Sequence, residues 1–368
     1  MMELARNSLS QLLGQVCEAL QLTETQHDSA VEKYTAVGNW IGGPGSPLQS
    51  LATAIYAQGS MSLGTTVRPI DDGEYDLDLI FEVTRAQLSP ADLHRVVESR
   101  LRDNQLYSPR LVSPCPPRCI RLAYAGDFHL DIVPARTALH VGGTAIEVPD
   151  RELKCWIPND PKGYAQWFEN FCVQRTLMEK AAPQAVPPQV PSDQKPALKR
   201  AVQLWKRQRD IVFGDAKAAP SSILLTTLAG KFYKGEGQTA DALPNILVRT
   251  DQYIRSEWPS RISVTNPTNA AEDFCNRFSN EQYGAFAKWV GSFNQAVQRL
   301  VQTQGLENVA SALEVLFGES LTAKVVKSFM EKFAFNRQSG ELRYGRSGLI
   351  AGTAAAAVIP HHTFHGDE

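Results

Sequence analysis

Apolar residues recur at Leu9, Leu12, Leu13, Val16 and Leu20, and again at Ala30, Tyr34, Val37 and Ile41. Spacings of three and four predict two amphipathic helices. Thr23 followed by Gln26 has the form of a capping box, so the second helix is expected to begin there, and GGPGSP at 42–47 to end it. From 51 to about 150 the period shortens, and the runs DLDLIFEV, RLVSP, CIRLAYA, FHLDIVPA and TAIEVPD predict a mostly antiparallel or mixed sheet. One helix near 90–103 interrupts it. The segment AAPQAVPPQVPSDQKP, 181–196, holds five prolines and cannot be helix interior, so it reads as a connector. Beyond it ALKRAVQLWKRQRDIVF, SSILLTTLAGKFY, NAAEDFCNRFSNEQYGAFAKWVGSFNQAVQRLV and SLTAKVVKSFMEKFAF predict a helical bundle. The organisation expected is α+β: a sheet-bearing lobe with N-terminal helices over 1–180, a connector over 181–197, a helical lobe over 198–345, and a small-residue tail over 346–368.

Composition narrows this picture. A chain of 368 residues exceeds the usual size of a single core, which favours two lobes sharing a cleft. It is 43% hydrophobic and 21% charged, and no apolar run is long enough to cross a bilayer, so no membrane association is expected. The opening Met1-Met2-Glu3 leads into mixed polar sequence without the apolar core of a secretory leader, and the expected location is cytoplasmic. With 37 basic and 39 acidic residues the net charge is −2, which argues against coating long nucleic acid. The six cysteines are scattered; Cys115 and Cys119 in CPPRC lack a second ligand pair, so reduced thiols are expected rather than a zinc site.

The candidate chemistry lies in YAQGSMSLGTTVRPIDDGEYDLDLIFEV, 56–83. Residues two apart on a strand share a side, so Asp76 and Asp78 project together while Leu77 and Leu79 face the core. Aligned carboxylates repel unless a cation stands between them, and hard oxygen donors suit magnesium or manganese. A solvated strand face would explain an isolated Asp-Leu-Asp equally well. Asp131, inside the apolar run FHLDIVPA, supplies a third carboxylate if that strand lies alongside, and three carboxylates can hold two ions. Upstream, Gly59-Ser60 and then Gly64-Thr65-Thr66 form small-residue turns whose backbone N–H groups, with the Ser60 hydroxyl, suit a phosphate.

This order of Gly-Ser, helix, Asp-x-Asp on a strand and a later single Asp resembles the polymerase-β-like nucleotidyltransferase superfamily. In detail YAQGSMSLGTTVRP, YDLDLIFEV and HLDIVPA resemble the cGAS/DncV-like nucleotidyltransferases of bacterial anti-phage signalling, the CD-NTases. The similarity continues through WIPNDPKGYAQWFENF, LKRAVQLWKRQRD, PSSILLTTLAGKFY and NPTNAAEDFCNRF, spanning roughly 50–290, and the final PHHTFHG is also similar to family members. The resemblance implies a bilobal fold with the active site in the cleft, Asp76, Asp78 and Asp131 as catalytic carboxylates holding two Mg2+ ions (Mn2+ as the substitute), and Gly59 and Ser60 at the donor phosphates. It also implies a triphosphate-binding lysine on LKRAVQLWKRQRD, for which Lys206 is chosen over Lys199, and a phosphate-binding serine at Ser221 or Ser222, where one of the two, opening the helix after Pro220, can equally be just its N-cap. Tyr164 and Trp167 read as core rather than as base-stacking residues, and His129 as a strand-facing polar residue. The His361, His362 and His365 cluster carries no metal assignment.

The implied activity joins nucleoside triphosphates, ATP and GTP, into a cyclic oligonucleotide messenger with release of pyrophosphate. The product expected is a cyclic dinucleotide, a cGAMP isomer, made in anti-phage defence and read by an effector protein encoded nearby. Conjugation of the C-terminal tail, 350–368, by ubiquitin-transfer-like enzymes is a further implied partnership. DNA activation is not expected, because a zinc cysteine cluster and a strongly basic character are both missing. The alternatives are a cyclic trinucleotide synthase, a template-free transferase acting on RNA or protein, and, outside enzymes, a nucleotide-binding sensor.

Overall fold

The computed structural model describes residues 2–338 except 71–72, 85–87, 115, 125, 127, 139–142, 153, 173–187, 215 and 217, together with short strands at 343–344, 350–351 and 357–358. Helices α1 (Met2–Ala19) and α2 (Glu24–Gly42) come first, and α2 opens on the expected reciprocal cap between Thr23 and Gln26. Such a cap contributes about 1 kcal/mol. Strand β1 (Ala52–Gln58) runs into the single-turn helix α3 (Gly59–Leu63), and β2 (Tyr75–Val83) returns antiparallel to β1. After α4 (Pro90–Arg102) come β3 (Ile120–Tyr124), β4 (Phe128–Thr137), β5 (Ile146–Asp150) and β6 (Cys155–Asn159).

These strands make one six-stranded mixed sheet in the order β1-β2-β4-β5-β6, with β3 pairing the first half of β4 and β5 its end. β2 and β4 are parallel and central. Alternation in β2 holds only at its start: Tyr75, Leu77 and Leu79 are buried while Asp76 is exposed, and from Leu79 to Val83 every residue is buried. The sheet is covered there on both faces. Leu77, Leu79 and Phe81 pack under α2 and α4 with Tyr34, Val37, Leu93 and Val97, and Ile80 joins Tyr56, Val133 and Val148 on the opposite face. The run RLVSP makes no strand of its own; Leu111 adds one isolated bridge, to Leu122.

Helix α5 (Pro161–Cys172) follows, and the helical lobe comprises α6 (Ala197–Phe213), α7 (Ser222–Phe232), α8 (Thr239–Glu257), α9 (Asn280–Gln302), α10 (Leu306–Phe317) and α11 (Glu319–Gln338). Its core surrounds the fully buried Trp205, Phe286, Phe293 and Phe317. The expected boundary at 180 does not describe the packing: Leu9, Leu12, Leu13, Val16 and Leu20 of α1, with Tyr164 and Phe168 of α5, bury in this helical core and not against the sheet. Tyr164 and Trp167 thus belong to the core region, Tyr164 sharing a hydrogen bond with Thr227 at 2.8 Å.

Residues 269–273, expected to be helical, form the second strand of the hairpin β7 (Thr265–Asn266) and β8 (Asn269–Asp273). Pro267 removes a helix donor, Asn266 Oδ1 accepts from the Thr268 N–H at 3.0 Å, and Asp273 Oδ1 accepts from Val264 N–H and Cys275 N–H at 3.2 and 2.8 Å. Helix α9 starts only at the Ser279 cap. Residues 173–187, including the first part of the connector, and 359–368 of the tail, with His361, His362 and His365, lie outside the described residues.

Candidate active site

Strand register brings the carboxylates together. In the parallel pairing Asp78 stands beside Asp131, and Asp76 beside His129; across β3, Arg121 stands beside Asp131. In-register neighbours project to the same face, so Asp78, Asp131 and Arg121 form a row across three strands. Arg121 grips Asp131 with a two-bond fork, Nε to Oδ1 and Nη2 to Oδ2, each 2.7 Å. This geometry is the strong form of a charge-assisted pair. Nη2 also lies 3.5 Å from Asp76 Oδ1. His129 places Nε2 2.8 Å from Glu74 Oε2 and Nδ1 3.8 Å from Asp76 Oδ1, so it belongs to the site, although the sequence pattern made it a plain strand residue.

Burial pushes the Asp78 carboxyl up to about 7, reinforced by repulsion from Asp131 and Asp76 and opposed by Arg121 and Lys206. Such a carboxylate favours a nearby cation. The donor set therefore fits a hard divalent ion in chemistry, but among the described residues no three Asp, Glu, His or Cys side chains stand ready-grouped as metal ligands.

The Gly-Ser turn abuts the same carboxylates. Gln58, the last residue of β1, is the register partner of Asp78, and Gly59 follows with φ +63°. A Cβ at Gly59 would lie 2.4 Å from Asp78 Oδ2. Ser60 C=O accepts from Thr65 N–H at 2.9 Å, which folds the chain after α3 back on itself. Helix α6 then fastens this loop from below: Gln203 Nε2 donates to Thr66 C=O at 2.8 Å, and Lys206 Nζ donates to Thr65 C=O and Oγ1 at 3.2 and 3.1 Å. Burial brings Lys206 down to about 7, with Arg209 adding to the effect. Lys199 instead pairs with Glu169 at 2.8 Å.

The helical lobe closes the other side. Ser221 is the N-cap of α7, accepting from Leu224 N–H, whereas the Ser222 hydroxyl is held by Arg209 Nη1 at 2.8 Å. The hairpin adds Asn266, Glu272 and Arg277, with Glu272 Oε1 paired to Arg277 at 2.7 Å. Together these walls enclose a cleft of about 1210 Å³, and Gly59, Ser60, Asp76, Asp78, Asp131, Lys206, Ser221 and Ser222 all line it. Single-ligand pockets span roughly 300–1,000 Å³, so there is room for two nucleotides. Sequence reasoning missed Arg209 and Arg121. Arg209 was within reach, three residues from Lys206 on the same helix face; Arg121 needed the β3–β4 register.

Residues 8–171 match the Second Messenger Oligonucleotide or Dinucleotide Synthetase domain. A c-di-GMP synthase of Roseivirga ehrenbergii is 30% identical over 374 aligned positions, covering 99% of this chain and 98% of that protein. The chain belongs to the CD-NTase family. The cyclic dinucleotide synthase CdnG of Bradyrhizobium diazoefficiens is 28% identical, with 95% of this chain and 90% of that protein covered. The structure of that CD-NTase in complex with GTP superposes with a TM-score of 0.71 at 26% identity over 87% of this chain and 98% of its own. Vibrio cholerae DncV, with a TM-score of 0.57 at 13% identity, covering 88% of this chain and 89% of that one, shares the fold. This CD-NTase is a nucleotidyltransferase that synthesises a cyclic oligonucleotide, on the bilobal polymerase-β-like fold expected. No helix among the described residues is long and apolar enough to cross a membrane.

Proposed function

We propose that this CD-NTase condenses two molecules of GTP into cyclic di-GMP, with release of two pyrophosphates, using Asp76, Asp78 and Asp131 as the carboxylates that hold two Mg2+ ions. The observation that carries the site assignment is the in-register row of Asp78 and Asp131, with Asp76 two residues away, opposite a Gly-Ser turn in a cleft wide enough for two nucleotides. GTP as substrate rests on the Roseivirga ehrenbergii c-di-GMP synthase and on the GTP bound by CdnG. Bound there, the ions would supply Lewis-acid charge to the attacking and leaving oxygens of an in-line displacement.

The residues themselves then have separable tasks. The turn at Gly59 and Ser60, with Ser222 and Arg209 opposite, holds the donor triphosphate; Lys206 shapes that turn from beneath through Thr65. An acceptor ribose hydroxyl attacks the α-phosphorus, forming one P–O bond as the bond to pyrophosphate breaks, and its proton passes to Asp131 and on to water. The linear dinucleotide turns and repeats the displacement with its other end, closing the ring. A role in anti-phage defence, with a product-activated effector, completes the proposal.

Incubation of the protein with labelled GTP and Mg2+ tests the site. A phosphatase-resistant product is expected from the wild type and none from Asp76→Ala or Asp78→Ala, a loss of at least 1,000-fold on the order of what removal of a unit-acting catalytic group causes. Unchanged product in either variant would remove the carboxylates from the chemistry.

A further inference from the structure

Asp76, Asp78 and Asp131 line the cleft, and a cation from the protein stands between two of them. Arg121 Nη2 lies 2.7 Å from Asp131 Oδ2 and 3.5 Å from Asp76 Oδ1, so one nitrogen spans the gap between the two side chains. A divalent cation held by Asp76 and Asp131 would draw on carboxylate oxygens that Arg121 contacts, so the two would compete. The fork engages both oxygens of Asp131.

We propose that Arg121 is an internal counter-ion, a positioning residue that holds Asp131 and Asp76 and competes with a divalent cation for them. The inference rests on the metal role proposed above for the three carboxylates. Its source is the strand register, which sets Arg121 opposite Asp131 and leaves its side chain no acidic partner other than the site's own, Asp131 and Asp76, among the described residues. The guanidinium lowers the mutual repulsion of the carboxylates, and the same contacts lower their affinity for metal, because an ion would have to compete with a two-bond, charge-assisted fork.

The test uses the full chain without nucleotide and Mn2+ as the probe, with free ion followed by electron paramagnetic resonance and unfolding followed by calorimetry in chelator. Arg121→Gln is expected to bind Mn2+ on the order of tenfold more tightly than wild type, as removal of a competing charged hydrogen bond allows. Its melting temperature in chelator is expected to fall and to recover on adding Mn2+. Arg121→Lys, which keeps a point charge without the fork, is expected to fall between the two, and it serves if the glutamine variant does not fold. Asp131→Asn is the reference and is expected to lose the ion. If Asp131→Asn loses Mn2+ while Arg121→Gln and Arg121→Lys bind it no more tightly than wild type, the counter-ion inference is overturned and the metal role stands. If Asp131→Asn binds Mn2+ as the wild type does, the metal role falls and the inference with it.

Discussion

At Gly59 the backbone turns with φ +63°, and the space a side chain would take is filled by Asp78 Oδ2, 2.4 Å from an ideal Cβ. Two independent constraints meet at one residue: a left-handed conformation that costs other residues about 1–2 kcal/mol, and a carboxylate that must stay where it is. Gly59→Ala is therefore expected to lower the melting temperature modestly and to cut kcat by about 100-fold, the scale of a 1 Å misplacement of a reacting group. Steady-state rates alongside calorimetry check it; a variant with full kcat would show that Asp78 tolerates the shift. Asp76 and Asp78 were legible because a period of two in an apolar run puts polar side chains on one side whatever the partner strand. Arg121 stands ten residues from Asp131 across the β3–β4 hairpin; Asp131 was legible as a residue type, but its place beside Asp78 depends on a pairing between segments some fifty residues apart. No local pattern encodes that register.

Among the elements, α6 does most to shape the cleft. Gln203, Lys206 and Arg209, three residues apart, share one stripe and hold in turn Thr66, Thr65 and Ser222, so one helix face sets both the phosphate turn and the start of α7. The two serines there have different work. Ser221→Ala is expected to cost about 1 kcal/mol through the lost α7 cap, with little change in KM for GTP. Ser222→Ala is expected to leave the melting temperature nearly unchanged and to raise that KM on the order of tenfold, the worth of one hydrogen bond to a charged group. Paired thermal and kinetic measurements separate them, and the reverse assignment would exchange the two results. The helical lobe was legible where stripes run long, as in α6 and α9, and misread at 269–273, where Pro267 just before and the capping by Asn266 and Asp273 impose a hairpin. That hairpin brings Asn266, Glu272 and Arg277 to the cleft.

Over the whole molecule, the two lobes are not consecutive pieces of chain. Helix α1 precedes the sheet in sequence yet buries Leu12, Leu13 and Val16 in the helical core, so the first residues clasp the last helices across the sheet lobe's connections. An amphipathic stripe shows that a helix has a buried face; it carries no information on what covers that face, which is why a boundary drawn at 180 from the sequence misses α1 and α5, both of which bury in the helical core. The cleft between the lobes holds the carboxylate row on one wall and Arg209, Ser222 and the hairpin on the other. Its volume of about 1210 Å³ exceeds that of a single-ligand pocket and leaves room for two nucleotides. The identity of those nucleotides is the central claim. Mass spectrometry and linkage-specific nuclease digestion of the product made from GTP alone, ATP alone and the equimolar mixture test it most directly: cyclic di-GMP is expected from GTP alone and as the dominant product of the mixture. A mixed adenine–guanine ring or a trinucleotide from the mixture, with none formed from GTP alone, would contradict it.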